Sequence, residues 1–220
     1  MNVEIQQKVR RTAPKEVRQQ QLIEATLDAI AERGISGTTT AQVAKRAGLS
    51  VGTVMLHFDS KENLLKSTLN FLAEELRDRW SAVQAQPDLS DAERLWGIIE
   101  ANFHEDILTD TKLRVWFAFF GEAQYRAYYR EMVEEFDTER GLALETLLEA
   151  LAKTSPQQEI DPFGLTQSIE SMADGLWLGI MLYPDWLTIE DAKARLWSLL
   201  SHNLPEHFKA GATPETASIK

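Results

Sequence analysis

The stretch from Thr38 to Phe58 constrains the chain most. It reads Thr38-Thr39-Thr40-Ala41-Gln42-Val43-Ala44-Lys45-Arg46-Ala47-Gly48-Leu49-Ser50-Val51-Gly52-Thr53-Val54-Met55-Leu56-His57-Phe58. Thr39 can cap a helix through its hydroxyl. Gln42, three residues on, can return its amide to the cap backbone. That helix has room only as far as Ala47, because Gly48 suits the left-handed conformation that ends helices. Ser50 offers a second cap. Val43, Ala44, Ala47, Leu49, Val54 and Phe58 supply an apolar interior, and the two alanines let the rods cross closely. Both caps and the glycine fall where a helix-turn-helix needs them, and a generic helical hairpin needs none of them.

The flanking segments are helical too. Leu22, Ile23, Thr26, Leu27 and Ile30 share one face of a helix expected from Val17 to Arg33, with Gly34 as its stop. Ser60 caps a longer helix through about Ala82, with Leu64, Leu65, Thr68, Leu69, Leu72 and Leu76 on one side. Gln86-Pro87-Asp88 marks a turn. Five further helices are expected near 90–108, 111–122, 126–153, 162–182 and 188–203, separated at Thr109-Asp110, Thr154-Ser155-Pro156, Asp161-Pro162 and Tyr183-Pro184. Nothing alternates convincingly at period two, so the expected fold class is all-α. It combines a three-helix domain carrying the helix-turn-helix at the N-terminus with a larger helical domain. The expected division is an arm over 1–15, a helix-turn-helix domain over 16–66, a helical domain over 67–208 and a disordered tail over 209–220.

Charge follows the same division. The formal net charge is −11, which taken whole speaks against a polyanionic partner. Residues 1–66, however, hold ten Lys/Arg against seven Asp/Glu, and residues 67–220 hold thirteen against twenty-seven. A basic end to meet a polyanion and an acidic body held away from it fit this asymmetry. Aromatics divide likewise: Phe58 is the sole Phe, Tyr or Trp before residue 67. Cysteine is absent, which removes thiol chemistry and cysteine-based zinc sites. No apolar run reaches the roughly 18 residues of a membrane helix. The polar N-terminus is unlike a secretory signal, so a cytoplasmic protein is expected.

The residues Val43-Ala44, Ala47-Gly48-Leu49-Ser50, Gly52-Thr53 and His57-Phe58-Asp59-Ser60-Lys61 resemble the N-terminal signature of the tetracycline-repressor (TetR) family of transcription regulators. Arg18 to Leu27, Asn102-Phe103, Trp116 to Phe119 and Asp174 to Leu178 resemble its BetI-type, choline-responsive subgroup. The resemblance implies a DNA-binding domain over 16–66, a ligand-binding and dimerisation domain over 67–208, and a homodimer on a palindromic double-stranded DNA operator, released by a small-molecule effector, with choline or a related quaternary amine first. A sensor of hydrophobic drugs is the alternative effector reading. Two positions depart from the family pattern: His57 stands where Tyr is usual, and Met55 where an aromatic is usual.

In such a motif the second helix enters the major groove. Ser50, Val51, Gly52, Thr53, Leu56 and His57 are then the candidate contacts. Gln42, Lys45 and Arg46 flank them on the first helix. Thr39, Thr40, His57, Lys61 and the arm residues Arg10 and Arg11 are candidates for phosphate. Met55 and Leu56 either meet thymine methyl groups or pack inward. No Arg or Asn lies on this helix, so the commonest bidentate base pairings are missing.

Phe103, Trp116, Phe120, Tyr125 and Trp177 are candidate cavity residues, with Asp174 and then Glu122 as carboxylate partners for a cation that has no hydrogen-bond donor. Plain core packing is the competing reading for each aromatic. Leu176, Ile180, Leu196, Leu199 and Leu200 are the candidate dimer contacts. No cofactor or metal is expected. His104-Glu105-Asp106 points in different directions on any helix and reads as a solvated turn. No His-Glu-x-x-His, Gly-x-Ser-x-Gly or Walker pattern occurs, which argues against an enzyme. A helical interaction module without DNA is the remaining class, opposed by the basic N-terminal end.

Overall fold

The computed structural model describes residues 14–121, 126–155 and 159–211, with the side chains of 126, 128–130 and 132–135 left aside. The described residues form helices and no strand. In chain order they are α1 (Lys15–Gly37), α2 (Thr40–Ala47), α3 (Val51–Phe58), α4 (Lys61–Gln84), α5 (Asp91–Ala101), α6 (Asp110–Gly121), α7 (Arg126–Lys153), α8 (Pro162–Leu182) and α9 (Ile189–Asn203). No described helix is long and apolar enough to cross a membrane.

The chain divides into two compact units. The first holds residues up to Leu72 together with Arg114–Glu122; the second holds Ala73–Leu113 and the chain from Ala123 onward. The division falls within α4 and α6.

The first unit is built around Leu22, Ile30, Ile35, Val43, Ala44, Val54, Leu64, Leu65 and Leu69, all buried. Gly34 (φ +69°, ψ 173°) kinks α1 where the helix was expected to stop, and one further turn carries Ile35 into the core. Thr39 and Gln42 form the expected capping box at α2. Gly48 ends α2 at φ +65°, its N–H donating to the Lys45 carbonyl and that of Leu49 to the Ala44 carbonyl at 2.8 Å. This pair of bonds is a Schellman motif, which satisfies carbonyls left open at a helix end. Ser50 accepts from the Thr53 N–H to start α3. Asp59 (φ +61°, ψ −35°) then links α3 to α4, with the Ser60 N–H donating to the Phe58 carbonyl at 2.7 Å. That three-residue turn is a strained one for a residue with a Cβ.

The second unit packs α5 and α8 on α7, and α9 on α8. Trp96, Trp197 and Phe208 stack edge to face at 5.0 and 5.2 Å. The Trp197 indole donates to the Lys209 carbonyl. One helix is shorter than expected: α5 stops at Ala101, not near 108. The Asn102 amide donates to the carbonyls of Ile98 and Ile99, so a side chain takes bonds that backbone N–H groups would otherwise make. The following turn buries Phe103, Ile107 and Leu108, and His104-Glu105-Asp106 lies in it.

Candidate DNA-reading and effector sites

On α3, successive residues are turned by about 100°. Val54 and Phe58 face the core and are buried. Leu56 therefore lies opposite them, and it is 80% exposed. Met55, the preceding residue, is exposed too, as is Val51 at the start of the helix, and Gly52 stands one turn before Leu56 on the same side. The two apolar residues whose direction the sequence left open thus both point outward.

The polar candidates are more committed than their sequence suggests. Arg46 bridges to Asp28 at 3.3 Å and Glu32 at 2.5 Å, and this bonding, led by Glu32, raises its pKa further. Lys61 donates to the Ile35 carbonyl at 3.1 Å, which ties the first turn of α4 to the end of α1. The Gln42 amide oxygen accepts from Thr39, which leaves its N–H groups for a base or phosphate. The Ser50 and Thr53 hydroxyls bond each other at 2.9 Å. Thr39 and Lys45 are exposed, Thr40 is half-exposed, and Nδ1 of His57 is shielded without a partner among the described residues. Arg10 and Arg11 lie outside the described residues.

In the second unit a charged group forms between α7 and α8. Glu170, Asp174 and Trp177 fall at i, i+4 and i+7 on one stripe of α8. Arg140 of α7 bonds Asp137 at 3.2 Å, Glu170 at 3.4 Å and the Asn102 side-chain oxygen at 3.3 Å. The Trp177 indole N–H donates to the Asn102 backbone carbonyl at 3.1 Å. Asn102 is thus a hub: its amide ends α5, its side-chain oxygen meets Arg140 and its carbonyl fixes Trp177. Three carboxylates face one guanidinium. Desolvation pushes the carboxyls of Asp137, Glu170 and Asp174 above the usual carboxylate range, and the nearby Arg140 opposes the rise in each. Such a group favours an added positive charge.

Two family profiles cover this architecture. Residues 22–68 match "Bacterial regulatory proteins, tetR family". Residues 91–205 match "BetI-type transcriptional repressor, C-terminal". The chain belongs to the TetR family, BetI type. It is a DNA-binding transcriptional regulator and not an enzyme. It is 32% identical over 194 residues to the HTH-type transcriptional regulator BetI of Klebsiella pneumoniae strain 342, spanning 87% of this chain and 94% of that one. A BetI from Escherichia coli O17:K52:H18 is 31% identical over 87% of this chain and 92% of its own. Among solved structures, a transcriptional regulator from Pseudomonas aeruginosa PAO1 superposes with a TM-score of 0.76 at 24% identity, covering 90% of this chain and 97% of that one. A regulator from Saccharomonospora viridis in complex with choline superposes with a TM-score of 0.73 at 20% identity, covering 87% and 98%. At these identities the two structures attest the fold.

For this BetI-type regulator, the candidate effector residues divide between the units. Trp116, buried, and Phe120, exposed, belong to the first. Phe103, fully buried, Asp174, exposed, and Trp177, buried, belong to the second. Glu122 and Tyr125 lie outside the described residues. Asp137, Arg140 and Glu170 were not expected from the sequence; the spacing of Glu170, Asp174 and Trp177 was the available signal. The dimer contacts need correcting. Leu176, Leu196 and Leu200 are buried within the chain's own second unit, so they cannot present a surface to a second copy. Ile180 and Leu199 are half-buried. Large apolar residues exposed on the second unit are Leu142, Phe163, Leu178, Leu182, Tyr183 and Trp186, the last 86% exposed.

Proposed function

We propose that two copies of this regulator bind a palindromic operator, each laying α3 in one major groove, and that a small cation, choline first, releases them. The observation that carries the effector reading is the α8 stripe Glu170, Asp174 and Trp177 facing Asp137 and Arg140 of α7: three carboxylates against one guanidinium, beside an indole fixed by Asn102. A quaternary ammonium donates no hydrogen bond. It is recognised by an aromatic face and by negative charge nearby, which this stripe combines. The choline complex of the Saccharomonospora viridis regulator supports the same chemistry.

Dimerisation is supported by the exposed patch at the end of α8. A Trp as open as Trp186, next to Tyr183 and Leu182, is apolar surface that a twofold contact would cover. A twofold dimer presents two copies of α3 to successive major grooves. Effector releases DNA to the extent that it favours one arrangement of the dimer over the other.

The test is a tryptophan-fluorescence titration of the full chain with choline and with its uncharged carbon analogue, 3,3-dimethylbutanol, followed by operator release. Choline binding that Asp174→Asn weakens supports the cation reading. Equal binding of the neutral analogue rejects it and leaves the repressor reading standing. Size-exclusion with light scattering tests the dimer, and Trp186→Ser is expected to shift it toward monomer.

A further inference from the structure

The reading helix lacks the groups that usually read bases and exposes groups that bases seldom need. α3 carries no Arg, Lys, Asn or Gln. Its one hydroxyl, at Thr53, is bonded to that of the cap residue Ser50, and Nδ1 of His57 is shielded. What it offers outward is Leu56 at 80% exposure, with Met55 at 42% and Val51 at 43%. Gly52, one turn before Leu56, leaves a notch: a Cβ built there would meet only the Ser50 hydroxyl, at 3.6 Å.

On the major-groove edge of a base pair, the apolar feature is the C5-methyl of thymine; guanine, adenine and cytosine present acceptors and donors. Leucine placed against a polar edge strips water from it and returns no hydrogen bond, which is unfavourable. Against a thymine methyl the same side chain gains burial and leaves nothing unpaired. We propose that this regulator reads its half-sites through thymine methyl groups, with Leu56 as the contact, Met55 beside it and Gly52 as the notch that admits the base edge. The proposal rests on α3 entering the major groove.

The experiment separates the two claims. Duplexes retained by the full chain are selected from a random library. The enriched site is then remade with deoxyuridine for thymidine, which deletes the methyl and keeps the pairing. Affinities are compared at one fixed salt concentration. About fourfold weaker binding is expected for each methyl in contact, the fold-change equivalent to about 0.8 kcal/mol for one buried carbon. Leu56→Ala should bring the thymidine-to-deoxyuridine affinity ratio towards one. Gly52→Ala should weaken binding to the enriched site, with a melting temperature no lower than that of the parent, since the added Cβ has room in the free protein. Equal affinity for the two duplexes overturns the proposal, as does a Leu56→Ala variant that discriminates as well as the parent. If no duplex is retained, groove insertion itself fails, and methyl reading fails with it.

Discussion

Gly48 sets the crossing of α2 and α3, and its replacement has a cost that can be worked from geometry. Its φ of +65° and ψ of 31° lie in the left-handed region. A Cβ added there meets nothing within 4 Å. The cost of Gly48→Ala is therefore conformational and contains no clash. For a residue with a Cβ that conformation costs roughly 1–2 kcal/mol. Loss of backbone freedom in the unfolded chain offsets roughly 0.4–1 kcal/mol of it. The net destabilisation is then about 1 kcal/mol. Gly48→Asn should cost less, since Asn tolerates the left-handed region, and Gly48→Val should cost more, since its branched Cβ does not. Urea denaturation followed by circular dichroism gives the series. Hydrogen exchange at the Gly48 and Leu49 amides reports the turn itself. Equal losses for Asn and Val, or a stabilising Ala, would refute the reasoning, because the turn would then not depend on left-handed backbone.

Three further outcomes are expected. Thr39→Ala removes the hydroxyl and one half of the capping box at α2, and should cost about 1 kcal/mol in the same denaturation assay, with Thr39→Ser recovering most of it. Gly97→Ala drives a Cβ to 2.6 Å from Cγ1 of Val83 between α5 and α4 and should destabilise, although alanine is the better helix former; Val83→Ala in the same chain should relieve the loss. The pH dependence follows from the raised carboxyls of Asp137, Glu170 and Asp174. Partial desolvation, most complete at Glu170, holds them above their unfolded values against the pull of Arg140, so the folded state binds protons more readily; their favourable contribution is complete below the ordinary carboxyl pKa and is lost as pH rises through the raised values. Glu93 and Asp191, lowered by bonds from Ser90 and Thr188, act in the opposite sense at lower pH. Melting temperature should therefore rise on mild acidification from neutrality, and Asp174→Asn should flatten that rise; an unchanged slope in the variant would count against the cluster.

Local chemistry was the legible part of this sequence. Thr39, Gln42, Gly48 and Ser50 act through backbone within a few residues of themselves, so their roles as caps and stops can be read without a partner. The end of α5 was harder, because one Asn among apolar residues gives no strong stop signal until its amide is seen bonded to Ile98 and Ile99. The charged group at Arg140 depends on the register of α7 against α8, which pattern alone does not set. The same limit explains the dimer contacts. Helix α8 is apolar over most of its surface, so the sequence marks Leu176 and Leu178 alike, and packing sends the first inward and leaves the second out. Lys61 shows the converse: a cation suited to phosphate is bonded to the Ile35 carbonyl across 26 residues, a contact no local spacing reveals.

The central claim is that α3 occupies the major groove of each half-site. Methylation interference on the selected duplex tests it most directly, because methyl groups at guanine N7 project into the major groove and those at adenine N3 into the minor groove. Binding blocked by N7 methylation at two positions about one helical turn apart is the predicted result. Interference confined to adenine N3 would contradict it.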